Sequence, residues 1–219
     1  MSQIKLKHSG GNGVIIAAPS SNPAADRTLL LPSDGDGTIL TTNTAVGSFV
    51  KLQTTNASSS SDISFTNSIT DAFDTYEQYL IIFNKLVFSS DNITLRMQII
   101  NSSGAFTSSE YSTRVLDSGG DGNHTGASSY RFNQEGIGNN SSGSLIYEDC
   151  SGYVYLTNFS VNYRHQIQGA LSFGDTGSNK RFNPFGGGVN ENTATTGVKI
   201  FADTGNINSG KFTLYGVKQ

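Results

Sequence analysis

The chain has no tryptophan, one cysteine and four prolines, and Lys, Arg, Asp and Glu make up only 14% of its 219 residues, leaving a formal net charge of −3. Each scarcity excludes something. A single thiol, Cys150, cannot close a bridge within the chain, so no internal disulfide holds the fold. A balance so close to neutral, with no basic stripe, offers no electrostatic footprint for nucleic acid, and we expect no such partner. No apolar run approaches the roughly 20 residues a membrane-spanning helix needs, so we expect no membrane insertion. The opening residues, MSQIKLKHSGGNG, contain no apolar core of a secretory signal, so synthesis in a cytoplasm is expected. Low charge does not imply disorder, which pairs low hydrophobicity with high net charge. The 13 Phe and 9 Tyr require a core, and a chain of this length can build one. Ser, Thr, Asn and Gly take the place of the missing charges, a composition suited to short strands with polar turns.

The first 48 residues read as an arm of short strands. Ile4 and Leu6 alternate with Lys5 and Lys7, Gly10 to Gly13 break the run, and Val14 to Ile16 resume it. Thr28 to Leu31 and Thr38 to Leu40 form two further apolar pieces, separated by Pro32 and the turn Asp34-Gly35-Asp36-Gly37. Burying one large apolar side chain is worth about 1.5–3 kcal/mol, and ordering one backbone residue costs about 1–2 kcal/mol. A lone arm therefore gains almost nothing by ordering. Ile4, Leu6, Val14, Ile16, Leu29, Leu31, Ile39 and Leu40 must find their core elsewhere, on neighbouring copies around a threefold axis or folded back on their own domain. We expect the first, with residues 1–48 as an assembly or anchoring arm and residues 49–219 as the main domain.

Beyond residue 48 the pattern is strands. Phe49 to Thr54 and the pair Ile63 and Phe65 fit strands, with a polar loop at Ala57 to Ser61. The segment DTYEQYLIIFNKLVF, residues 74–88, is read as a strand because of its β-branched and aromatic residues, with a bulge near Asn84. Ile93, Leu95, Met97 and Ile99 alternate with Thr94, Arg96 and Gln98, the clearest period of two in the chain. Asn101 to Gly104 should turn a hairpin into Phe106 to Val115. Residues 117–143 read as loops around one short strand at Tyr130 to Asn133. Leu145 to Tyr147, Tyr153 to Phe159, His165 to Phe173, Val198 to Ala202 and Lys211 to Val217 supply the rest, with Asn183 to Asn192 as an exposed loop. About eight strands with no intervening helices predict an all-β fold: an antiparallel β-sandwich, jelly-roll-like, with an immunoglobulin-like order nearly as compatible.

Candidate chemistry is sparse. Asp34 and Asp36 fall short of a calcium loop, because Gly37 follows at once and position 38 is Thr, so they read as turn residues. Asp117, Asp121 and His124 match no standard metal spacing. Cys150 reads as a buried thiol, with His165 a weak candidate base. Glu77, Glu110, Glu135, Glu148 and Glu191 show no pairing, and neither a nucleophile elbow nor a phosphate loop occurs. No enzymatic activity, cofactor or metal is expected. A glycan site is the one binding chemistry the loops suggest: Tyr130, Arg131, Phe132, Asn133, Arg181, Phe182, Asn183 and Phe185 combine rings with amide and guanidinium groups. The alternative is that Phe132 and Phe182 plug the ends of the sandwich.

Two segments carry a resemblance. ADRTLLLPSDGDGTILTT, residues 25–42, resembles a segment of tailed-bacteriophage structural proteins that precedes fibre or decoration domains. IFADTGNINSGKFTLYGVK, residues 200–218, resembles the closing strands of β-sandwich virion proteins, especially of marine and cyanobacterial phages. The resemblance implies a homotrimeric virion component, made in the host cytoplasm, whose partners are the major capsid protein or tail proteins. The chain is short and has no shaft repeats. That favours a capsid decoration or cement protein over the alternative, a tail fibre or adhesin that binds host surface glycan.

Overall fold

The computed structural model describes residues 3–7, 10–11, 13–17, 49–66, 75–117, 122–138, 149–159, 164–177, 179–190 and 195–217. The chain divides into two compact units, Met1–Thr44 and Ala45–Gln219. In the first, β1 (Gln3–Lys7) pairs antiparallel with β2 (Gly13–Ala17), setting Ile4 opposite Ile16 and Leu6 opposite Val14. Between them Gly11 takes φ +95°, which a side chain would resist. The strands expected at Thr28 to Leu31 and Thr38 to Leu40 lie outside the described residues. So do Leu29, Leu31, Ile39, Leu40 and the turn Asp34, Gly35, Asp36 and Gly37.

The described residues of the second unit are all β, with thirteen strands among them where about eight were expected. They are β3 (Phe49–Ser60), β4 (Asp62–Thr66), β5 (Gln78–Phe88), β6 (Leu95–Asn101), β7 (Gly104–Ala105), β8 (Tyr111–Val115) and β9 (Gly122–Ala127). They continue with β10 (Tyr130–Arg131), β11 (Cys150–Thr157), β12 (His165–Gly174), β13 (Lys180–Val189), β14 (Gly197–Ala202) and β15 (Ile207–Val217). Two antiparallel sheets result. The larger runs β3-β15-β5-β11-β12-β13-β8-β9; the smaller runs β10-β6-β14-β4, with β7 attached to β6. One hydrophobic core draws on both, which is consistent with the expected β-sandwich.

Alternation explains the core. Leu95, Met97 and Ile99 on β6 are fully buried, as is Ile93 just before the strand. Register sets Met97 beside Ile200 and Ile99 beside Val198, and these in turn beside Ile63 and Phe65. From the larger sheet, Leu214, Ile81 and Val154 form one inward row, and Phe212 and Phe83 belong to the next. Gly169 continues the first of these rows. A Cβ there would fall 2.7 Å from the Phe185 ring, so glycine is what lets that ring lie against β12. The bulge expected near Asn84 is present: β5 takes three steps, from Phe83 to Leu86, where β11 takes two, from Gly152 to Cys150, and Lys85 sits at φ +52°.

Four expectations are corrected. Ala57 to Ser60 is not a loop but the end of β3, because β15 offers these polar residues a ladder from Ile207 to Gly210. Backbone pairing is indifferent to side-chain polarity. Asn183 to Val189 is likewise not an exposed loop: it lies in β13, paired with β12 on one side and over much of its length with β8 on the other. The hairpin after Asn101 closes only through Gly104–Ala105, and β8 departs to the larger sheet. β9, in a stretch read as loop, pairs with β8. The strand expected at Leu145 to Tyr147 lies outside the described residues.

Candidate functional site

The residues singled out for glycan contact do not form a surface cluster. Tyr130, Phe132 and Phe185 are buried, so their ring faces are closed to a sugar. Phe132 stacks on Phe185 at 4.5 Å between centroids and lies parallel to Phe83 at 6.5 Å. The Tyr130 hydroxyl donates to the His165 carbonyl at 3.1 Å, and burial, with Tyr111 close by, pushes its pKa up. Arg131 spends its guanidinium on the carbonyls of Asn133 and Gln134, at 2.8 and 2.9 Å. Asn133 is fully buried and clamps three backbone groups: its Oδ1 accepts from Leu95 N, and its Nδ2 donates to Ile93 O and Glu135 O. Asn183 is buried too. Phe182 alone stands out, 66% exposed, so it does not plug an end of the sandwich, whereas Phe132 does fill the space between the sheets.

Arg181 is held at the start of β13, beside the β12–β13 turn. Its Nε donates to Asp175 Oδ2 at 2.7 Å, with Asp117 3.7 Å from Nη1. Asp175 also accepts from the backbone N–H groups of Gly177 and Asn179. Burial opposes its charge, but the Asn179 amide, the Arg181 guanidinium and the Gly177 N–H outweigh that and hold its pKa at about 2. Because the folded value lies below the unfolded one, this stabilisation is complete above about pH 4 and is lost as pH falls through 2. Asp175→Asn is therefore expected to cost about 1–2 kcal/mol at pH 6 and almost nothing below pH 2. Paired urea titrations across that range measure the difference.

The weaker chemical candidates are dispersed. Cys150 opens β11, and burial raises its thiol pKa far above the usual range. His165 lies across from the other end of that strand, whose last residue, Thr157, pairs with Gln166. Seven residue steps, roughly 24 Å, separate the two ends of β11. The His165 ring is engaged at Nδ1 by the Asn158 carbonyl and at Nε2 by Thr195 Oγ1. His124 Nε2 meets Gln134 Oε1 at 2.9 Å, and Asp121 lies outside the described residues. Among the described residues no three His, Cys, Asp or Glu side chains are grouped to hold a metal ion.

The most distinctive surface is the outer face of the larger sheet. Register aligns Thr213, Ile82, Tyr153, Ala170 and Pro184 in one row across five strands. Leu116 extends it, its N–H donating to the Pro184 carbonyl. The adjoining row is Tyr215, Leu80, Tyr155, Gln168, Gly186 and Arg114. Among the described residues, Leu80 and Ala170 are the two buried apolar residues that do not belong to the common core: their neighbours on this face cover them. Tyr153 and Leu116 rise from it, 43% and 44% exposed. Beside each lies a shallow hollow. One, about 390 Å³, is lined by Leu80, Ile82, Gly152, Tyr153 and Tyr155; the other, about 400 Å³, by Arg114, Leu116, Pro184, Phe185 and Gly186. The corresponding rows of the smaller sheet are mostly polar: Arg96 with Phe201 and Asp62, and Gln98 with Lys199 and Ser64. An antiparallel sheet with one solvated face shows that polar pattern; the larger sheet departs from it.

This face was readable in one place. Tyr79 to Phe83 is apolar without alternation, the mark of a strand covered on both sides. A third hollow, about 390 Å³, is polar and lined by Glu110, Ser112, Arg164, Gln166 and Asn190 above Gly187 and Gly188. Arg164 Nε donates to Asn190 Oδ1 there at 3.0 Å. The chain matches no protein-family model, no curated protein and no solved structure.

Proposed function

We propose that this chain is a non-enzymatic structural protein of a phage virion, exposed on the particle surface as a capsid decoration or cement protein. The observation that carries the reading is strand order. Lettered B to I along the chain, β3, β4, β5, β6, β10, β11, β14 and β15 stand in the orders B-I-D-G and C-H-E-F, which supports a jelly-roll reading of the two sheets. β12, β13, β8 and β9 then widen the first sheet. Jelly rolls recur in capsid and lectin domains. The phage-like segment 200–218 supplies the end of β14 and all of β15, the strands H and I of that order. The arm, residues 1–48, holds three copies together and anchors them on the major capsid protein.

The tail-fibre or adhesin reading keeps one specific support. The polar hollow offers a carboxylate, a guanidinium, amides and a hydroxyl over a glycine floor, a set that suits sugar hydroxyls. Gold-labelled antibodies on particles released from cells that carry the gene separate the possibilities: label spread over the capsid supports decoration, label at the tail supports the fibre, and no label rejects both. Light scattering tests the arm. The full chain is expected to weigh three times its monomer or a multiple of that, and removing residues 1–43 should abolish the threefold mass. An unchanged mass would remove the role given to the arm.

A further inference from the structure

The outer face of the larger sheet is built to match itself. Ala170 sits at the centre of the row, on β12. Two strands to one side lies Ile82 on β5, with Tyr153 between; two strands to the other lies Leu116, just beyond β8, with Pro184 between. The hollows flank this centre at equal strand distance. The two projecting side chains are nearly equal in exposure. We propose that this face is the contact between two copies of the chain, packed about a twofold axis parallel to β12 at Ala170.

Rotation about that axis exchanges the two sides of the row, as an isologous contact requires. Tyr153 of one copy enters the hollow at Pro184, Leu116 and Gly186 of the other. Leu116 enters the hollow at Leu80, Ile82 and Tyr155. Ala170 meets Ala170, small against small, which allows the sheets to approach to about 10 Å. Six strands from β15 to β8 span roughly 29 Å, and the two rows together with the uncharged row beside them, Val217, Gln78, Thr157, Gln166, Gly188 and Ser112, add about 20 Å along the strands. The patch therefore removes on the order of 500–600 Å² from each copy, about the lower bound for a specific interface. Arg114, at one end of the adjoining row, is the only charged residue in the two rows. A charged or strongly polar partner would leave this surface unmatched; an identical one would not. The contact is independent of the virion reading and of residues 1–48.

The test uses the full chain carrying Ile82→Cys and Leu116→Cys. Within one copy these positions lie four strand spacings apart, roughly 19 Å, beyond the reach of a bismaleimide with a two-carbon spacer. Across the contact they face each other at the sheet separation of about 10 Å, too far for a direct disulfide but within reach of that reagent, so a cross-link can form only between copies. Cys150 is buried and stays out of the reaction. The reagent is expected to convert more than half of the chains to a species of twice the mass on a denaturing gel, with neither single-cysteine variant doing so. Adding Tyr153→Glu should weaken association at least about a hundredfold and abolish the cross-link. The proposal is overturned if the double variant, folded by circular dichroism, stays uncross-linked. It is equally overturned if the single variants cross-link as well, or if Tyr153→Glu changes nothing. Each of these outcomes leaves the particle-labelling result unaffected.

Discussion

Phe132→Ala is expected to lower stability by about 3–5 kcal/mol, the range for emptying a buried aromatic site. Phe132 follows β10 of the smaller sheet, and its N–H donates to the Leu95 carbonyl. Its ring reaches across to the larger sheet, between Phe185 on β13 and Phe83 on β5, and Phe83 in turn meets Phe212 on β15 at 5.9 Å. Four rings from four parts of the chain thus form one run of contacts, three of them near-parallel and Phe212 tilted against Phe83, and removing an inner one leaves its neighbours without a contact face. Against a total stability of about 5–15 kcal/mol, the loss is a large fraction. It corresponds to a fall in Tm of roughly 10 °C or more for a chain of this size. Phe182→Ala is the control: at 66% exposure it should stay within about 0.5 kcal/mol of the parent. Denaturant unfolding of the two variants side by side decides it. Equal midpoints would mean that the sheets do not meet through Phe132.

Asn133→Leu should be comparably damaging, by a different route. The side chains are similar in size, so the core loses little volume. What is lost is three hydrogen bonds of 2.7 to 2.8 Å to the backbone of Ile93, Leu95 and Glu135. The Ile93 carbonyl still accepts from the Ile137 N–H, so the cost falls on the Leu95 N–H and the Glu135 carbonyl; at about 1–3 kcal/mol each the sum is about 2–6 kcal/mol. Hydrogen exchange gives a local signature. The Leu95 amide should lose its protection first, while amides in β12 lose it only with global unfolding. If Leu95 stays protected in the variant, the Asn133 clamp is not what holds the start of β6.

Both positions had suggested a sugar site from sequence, and the reason they did so separates what local pattern can reveal from what it cannot. Tyr130 to Asn133 lie among Gly, Asn and Ser, which signal turns correctly. Turn composition says nothing about whether a ring beside it points outward, because burial depends on what the rest of the chain brings over it. The same limit hid β13. Asn183 to Val189 has the composition of a loop, and becomes a strand because β12 and β8 supply partners on both sides. β6 was legible in full because its alternation reflects one inward face, and the Asn84 bulge because β5 is too long for an unbroken strand. The apolar outer face falls between these cases. Tyr79 to Phe83 announces a strand covered twice over, but the row through Tyr153, Ala170 and Pro184 exists only once register is known.

The insertion of β15 between β3 and β5, and of β14 between β4 and β6, sets a timetable for folding. β3 and its neighbour β15, like β4 and its neighbour β14, are separated by more than a hundred residues, and no two of β3, β4, β5 and β6 share a ladder. Until residues 195–217 leave the ribosome, each sheet has an empty lane second from one edge, and Phe83 lacks Phe212 beside it. Closing such distant pairs is intrinsically slow. The exposed early strands are vulnerable to mispairing with other nascent chains in the meantime. A nascent chain halted before β14 would therefore present two open sheets, and quality control would have a clear structural difference by which to tell it from a finished copy.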